Sequence, residues 1–312
     1  MEKLGALAAF GTAVSWSLSA VFFENATRRA GALAVNFWKV AFAFVLLSIA
    51  GLVSRGLPLP TDASTGTWVI LSISGIIGFV VADYFLFNAY LIIGSRTTVV
   101  FQALTPLFTA FFAFAFLGEG MELLPLSGML VVVLGIIIVV MARSAANGRR
   151  ASDGASSADG AARPSVQGAR KGYVFAFLSS VFQAGGLLFS KVGLGGYSAI
   201  AGTQIRVLSG MAGFGIMALA LGQGKQVFHA PLRDRTVLKS LGLGSVFGPF
   251  VGVSLSLYAL QNASAGTAST LMALTPVLII PVSVFILGQK VRKAEILGAC
   301  IAVAGATIFF VL

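Results

Sequence analysis

The ionisable side chains of Glu24, Lys39, Asp83 and Arg206 fall inside long apolar runs of this sequence. A charge at the centre of a bilayer costs roughly 3 kcal/mol or more, so each needs a partner or a task. Lys39 can pair with Glu24 or with Asp83, either as a structural brace or as part of a site that handles a substrate or a proton. Arg206 has no acid at the place that corresponds to Asp83, which is Val253. Its planar guanidinium fork suits a carboxylate; the plainer alternatives are capping of helix carbonyls and snorkelling to the interface. Around these charges the sequence supplies aromatic, amide and thioether groups: Trp16, Tyr84, Phe87, Asn88, Gln102, Gln183, Tyr258 and Met272. Rings for an apolar side chain and polar groups for an ammonium and a carboxylate suit a small amphipathic molecule, although each ring alone equally suits packing or contact with lipid. Pro106 and Pro276 each remove one helical hydrogen bond near the middle of a run, freeing the carbonyls of Gln102 and Met272.

The scarce residues exclude much other chemistry. Cys300 is the one cysteine and His229 the one histidine, in a polar stretch with Arg233, Asp234 and Arg235. Histidine triads, thiolate metal sites and multi-histidine centres are therefore out of reach. There is no GxxxxGK[ST] loop, and the glycines at 242, 244 and 248 miss the GxGxxG spacing. The expectation is a chain that is not an enzyme and carries no cofactor and no metal.

The elements that must position these groups are transmembrane helices. Of 312 residues, 57% are hydrophobic and 10% charged, and mean hydropathy is +0.96, which rules out both a soluble globule and a disordered chain. A spanning helix needs about 20 apolar residues, and ten such runs are present: 4–25, 33–54, 67–93, 95–117, 123–142, 172–192, 198–221, 237–260, 265–287 and 294–312. Segment 143–171, rich in Ser, Gly, Ala and Arg, reads as a flexible linker, leaving five-helix units at 1–142 and 172–312.

The two units repeat one another. At an offset of 170, Ala103-Leu104-Thr105-Pro106 falls on the identical Ala273-Leu274-Thr275-Pro276, Gly78 on Gly248, Gly128 on Gly298 and Gly135 on Gly305. Towards the start of each half the offset is 167 and pairs Phe22 with Phe189, Trp16 with Gln183, and Lys39 with Arg206. Gly and Ala matches carry little weight in apolar sequence; the four-residue identity and the paired cations carry more. The repeat also favours keeping the first run as a helix over reading it as a cleaved signal. Five helices is an odd number, so the second unit enters the membrane inverted, as in carriers that open to each side in turn.

The net charge of +11 then reads as orientation and not as nucleic-acid binding. Sixteen Lys and Arg fall on the face that holds the linker, Lys3 and Arg55 on the face that holds the termini, and Lys39, Lys191 and Arg206 at or within helices. Basic residues concentrate on the cytoplasmic side, so both termini are expected outside the cytoplasm.

With its paired five-helix units, the matching runs Thr97–Pro106 and Thr267–Pro276, the closing Leu-Gly-Glu and Leu-Gly-Gln, and the cation in each second helix, the sequence resembles the drug/metabolite transporter superfamily in its ten-helix, EamA-type form. The bacterial exporters of aromatic and other hydrophobic amino acids are the nearest likeness. The resemblance implies an all-α carrier of the bacterial inner membrane with a central cavity between the repeats, partnered by a small molecule and the lipid bilayer. It leaves open a sugar or nucleotide derivative as cargo, and either proton coupling or facilitated diffusion.

Overall fold

The computed structural model describes residues 2–120, 123–152, 166–278, 280 and 293–311. The side chains of Glu24 and Phe87 lie outside the described residues. All regular structure among the described residues is helical: α1 (Glu2–Ala30), α2 (Ala32–Arg55), α3 (Thr65–Gly75), α4 (Ala82–Gln102), α5 (Thr105–Phe112), α6 (Leu123–Ser152), α7 (Val166–Leu194), α8 (Ala199–Ala220), α9 (Gly224–Arg233), α10 (Arg235–Ser245), α11 (Val253–Asn262), α12 (Ala265–Met272) and α13 (Lys293–Val311). Six helical stretches are long and apolar enough to cross a membrane, and Thr105–Leu117 and Ala265–Leu278 are shorter apolar helices. The protein is an all-α integral membrane protein. Helices α6 and α7 both reach into the segment read from sequence as a linker, to Ser152 and from Val166.

Apolar runs become helices here because a chain in lipid must satisfy its backbone polar groups internally, and short polar side chains set where they begin. Ser64 accepts from the Thr67 amide at 3.1 Å to start α3, and Asp234 accepts from the Thr236 and Val237 amides to start α10. These are the same point in the two repeats. The symmetry continues inward: α3 passes into α4 through a π-helical stretch at Ile76–Val81, and α10 into α11 through another at Val246–Gly252. The tandem Ala-Leu at 103–104 and 273–274 then breaks the fourth helix of each repeat. The helix ends at Gln102 and Met272 and restarts one residue before each proline, with Thr275 Oγ1 donating to the freed Met272 carbonyl at 3.0 Å.

Helix α4 spans the expected boundary between the third and fourth runs, yet it reverses direction. Ser179 Oγ donates to the Ala82 carbonyl at 2.9 Å and accepts from Gln102 Nε2 at 2.8 Å. In a straight helix residues 82 and 102 would stand about 30 Å apart, so the chain turns back between them, as the division near residue 94 requires.

The repeats interlock. Helix α7 packs on α3, its π stretch and α4, while α1 packs on α10, its π stretch and α11, so each repeat's first helix serves the other's third. Thr12 Oγ1 reaches the Gly252 carbonyl at 3.3 Å, the inverted copy of Ser179 on Ala82. Helices α2 and α8 pair, and α6 runs against α13 through a seam without side chains: a Cβ on Gly135 would meet the Ala302 nitrogen at 2.4 Å, and one on Gly128 the Gly305 oxygen at 3.2 Å.

Candidate transport site

Lys39 rises from α2 and Asp83 from the first turn of α4, both buried, with Nζ 3.4 Å from Oδ2. The structure thus gives Lys39 the deeper of its two candidate acids. Arg206, the inverted counterpart on α8, is 5% exposed, and no carboxylate among the described residues meets it. Its Nε is buried without a hydrogen-bond partner, and its guanidinium lies 5.1 Å from the centre of the Phe79 ring. Glycine makes the room: the Arg206 backbone crosses Gly75 where a Cβ would stand 2.5 Å from its carbonyl oxygen, and Nη2 lies 3.2 Å from where a Cβ on Gly78 would be.

The π stretch links these charges. The Ala82 amide bonds back to the Ile77 carbonyl, five residues away. A turn that wide lays positions five apart nearly over one another, so Asp83 sits about one turn beyond Gly78, no more than roughly 7.5 Å along the axis. Arg206, at Gly75 and Gly78, and the Lys39–Asp83 pair therefore lie along one helical segment, about one turn apart along its axis.

The other residues named from sequence divide. Trp16 packs with Phe79, Val253 and Phe250 in one hydrophobic cluster, and its Nε1 lies 3.1 Å from where a Cβ on Gly252 would be. Gln183, its counterpart on α7, is half-buried, one turn beyond Ser179. Gln102 is occupied by Ser179, and Met272 packs on the cluster of α1, α6 and α12. Asn88 turns its amide to the Tyr84 carbonyl at 2.7 Å; Tyr84 and Tyr258 are 47% and 40% exposed. Pro106 and Pro276 each lie in the first turn of the restarted helix.

Lys191 is not left over for a substrate. It forms an ion pair with Glu119 and donates to the Ala263 carbonyl at 2.9 Å, and Glu119 accepts from the Ala265 amide at 2.8 Å. This knot joins the loop after α5, turned at Gly118 (φ +65°), to α7 and to the break between α11 and α12. A second knot lies on the same face. Arg55 pairs with Asp62, Tyr197 Oη donates to Asp62 at 2.7 Å, and together they hold the Asp62 carboxyl below its ordinary value of 3.8, Arg55 first. Gln204, 1% exposed, donates to Ser48 Oγ and the Pro58 carbonyl, and Gln261 to the Gly195 and Tyr197 carbonyls. Reading the sequence alone missed these residues. The signal available was Glu119 directly after the Gly118 that closes a helix, an acid placed to meet a cation from a neighbour.

The two membrane faces differ in packing. On the face of the termini α11 lies along both α7 and α8. On the linker face its counterpart α4 has no comparable packing along α1 or α2 among the described residues, where Lys39 of α2 reaches Asp83.

Comparison with known proteins fits this architecture. No curated protein matches the chain. A solved structure described as "Crystal structure of protein" superposes with a TM-score of 0.68 at 18% identity, covering 97% of this chain and 94% of that one, a likeness of fold. The pattern of the EamA-like transporter family matches twice, over residues 3–141 and 170–311. Two matches that together span nearly the whole chain place this protein in the EamA-like transporter family.

Proposed function

We propose that this transporter exports amino acids of the aromatic or hydrophobic type across the bacterial inner membrane by alternating access. The observation that carries the reading is that one helical segment, Gly75 to Asp83, meets a buried guanidinium with no carboxylate partner among the described residues at Gly75 and Gly78 and carries the Lys39–Asp83 pair at its end. A zwitterion offers a carboxylate to Arg206, an ammonium that can compete with Lys39 for Asp83, and a side chain for Phe79 and Trp16. A neutral sugar offers the guanidinium hydroxyl acceptors but no compensating charge, which ranks sugar derivatives below amino acids; a nucleotide derivative supplies the charge and is the alternative cargo.

The packing asymmetry supports a state open towards the linker and closed towards the termini. With the linker cytoplasmic, as its basic residues favour, this is the state that loads cargo from the cell. Reversal exchanges the roles of the repeats: α4 closes onto α1 and α2 while α11 leaves α7 and α8, undoing the Lys191–Glu119 knot. The deciding experiment is counterflow. Purified protein in liposomes preloaded with an unlabelled amino acid is challenged with labelled amino acids, sugars and nucleotide derivatives, and phenylalanine-like cargo is expected to show stimulated exchange. Exchange of sugars or nucleotides alone would overturn the amino-acid assignment, and uptake without stimulation would overturn the carrier. A C-terminal reporter found in the cytoplasm would reverse the orientation.

A further inference from the structure

We infer that Arg206, with Gly78 and Phe79, forms a binding site for one small anionic group, a carboxylate or a halide, and that the transported species must carry that charge. The inference rests on the exporter reading for the source of the carboxylate but not for the site itself. The inverted repeat makes the case. Its two buried cations, Lys39 and Arg206, occupy equivalent positions in packed helices. Lys39 has Asp83 at 3.4 Å, whereas the position equivalent to Asp83 on the other side is Val253, 4% exposed. One half is neutralised and the other lacks a single negative charge.

The surroundings of Arg206 do not supply it. Its Nε is buried without a hydrogen-bond partner, its guanidinium lies 5.1 Å from the centre of the Phe79 ring, and its Nη2 abuts Gly78, where a Cβ would stand 3.2 Å from it, beside Gly186. A guanidinium buried this way is costly unless a ligand completes it. It donates in a fork that a carboxylate matches with both oxygens. An amide of the same shape offers one acceptor and no charge, and should bind poorly.

The test measures binding apart from transport. Full-length protein in neutral detergent micelles, in halide-free sulfate buffer, is melted with increasing propionate, propionamide or chloride. The expected result is a melting temperature that climbs with the logarithm of propionate concentration above saturation, no effect of propionamide, and no propionate effect in Arg206→Gln. Ligand-free Arg206→Gln should melt higher than the parent, because it loses an unbalanced charge; a structural brace would melt lower. Should that variant not fold, Gly78→Ala keeps the charge and crowds it, and is expected to weaken propionate about tenfold. Chloride stabilisation through Arg206, with propionate acting only as its competitor, keeps the anion site and assigns it to an inorganic ion. Equal stabilisation of parent and Arg206→Gln, or none of the parent by either anion, overturns the site. Propionate binding with failed amino-acid counterflow sinks the exporter reading alone.

Discussion

Removing one partner of the Lys39–Asp83 pair separates its structural from its transport role. Lys39→Met leaves the Asp83 carboxylate buried and alone, and Asp83→Leu does the same to the ammonium. Breaking a buried pair costs about 3–5 kcal/mol. The side chains here keep 11% and 10% exposure and stand 3.4 Å apart, so some water reaches them and the lower end, about 3 kcal/mol, is expected for each single variant. That is a loss of more than a hundredfold in the ratio of folded to unfolded protein. Lys39→Met with Asp83→Leu removes both charges together and should return to within about 1 kcal/mol of the parent, since apolar replacement of a buried pair is close to neutral. The coupling between the two positions is then large and compensating. Denaturation of purified protein in micelles, followed by tryptophan fluorescence, measures all four members of the cycle. Liposome transport by the stable double variant completes the test: a brace predicts that transport returns with stability, a binding pair that it does not. Single-variant losses that simply add in the double variant would refute the coupling and with it the reading of the 3.4 Å contact as a working ion pair.

Other substitutions follow from the same geometry. Gly135→Ala sets a methyl against the Ala302 backbone nitrogen, where only helix separation gives relief, and should lose about 1–3 kcal/mol in the same denaturation assay. Gly242→Ala in α10 meets nothing within 4 Å and should instead gain up to about 1 kcal/mol. Glu119→Gln weakens the knot at Lys191 and the Ala265 amide; with Cys300→Ser and a reporter Ser256→Cys on α11, labelling by an impermeant maleimide from the face of the termini should quicken several-fold. Asp62 titrates below its ordinary value, so its contribution to closing that face is present above pH 3.8 and fades as pH falls through its lowered folded value. Melting curves of Asp62→Asn should lack that acid limb.

Most of the fold was legible because a bilayer leaves few choices. The all-helical membrane architecture followed from the apolar runs, and the offsets of 170 and 167 located the matching π stretches, breaks and helix starts. What periodicity could not show was the π turn itself. It inserts a residue into the helix without altering composition, and it rotates Asp83 relative to a regular α pattern, bringing it over Gly78. The same rotation explains why Tyr84 and Asn88, which follow Asp83 in sequence, do not accompany it: Tyr84 is about half exposed and Asn88 bonds its own helix. That Lys39 meets Asp83 needed real distances, because a lysine in that helix reaches more than one acid. The pairing of Lys191 was not legible for a different reason. Its partner Glu119 stands 72 residues earlier, in a loop, and only the tertiary fold brings them together.

The exchange of first helices between repeats bears on how the protein is made. Helix α1 finds its main neighbours in α10 and α11, more than two hundred residues later, and α3 and α4 find theirs in α7. While the ribosome is still making the linker, five helices are in the bilayer and none of them has its final partners. The N-terminal unit cannot finish folding first, as domains of soluble proteins commonly do. Assembly must await the second unit, and until then Arg206 cannot pack against Gly75 and Gly78. A nascent chain stalled before residue 235 should be unusually sensitive to membrane proteases, and the two units expressed as separate polypeptides should each be degraded unless made together.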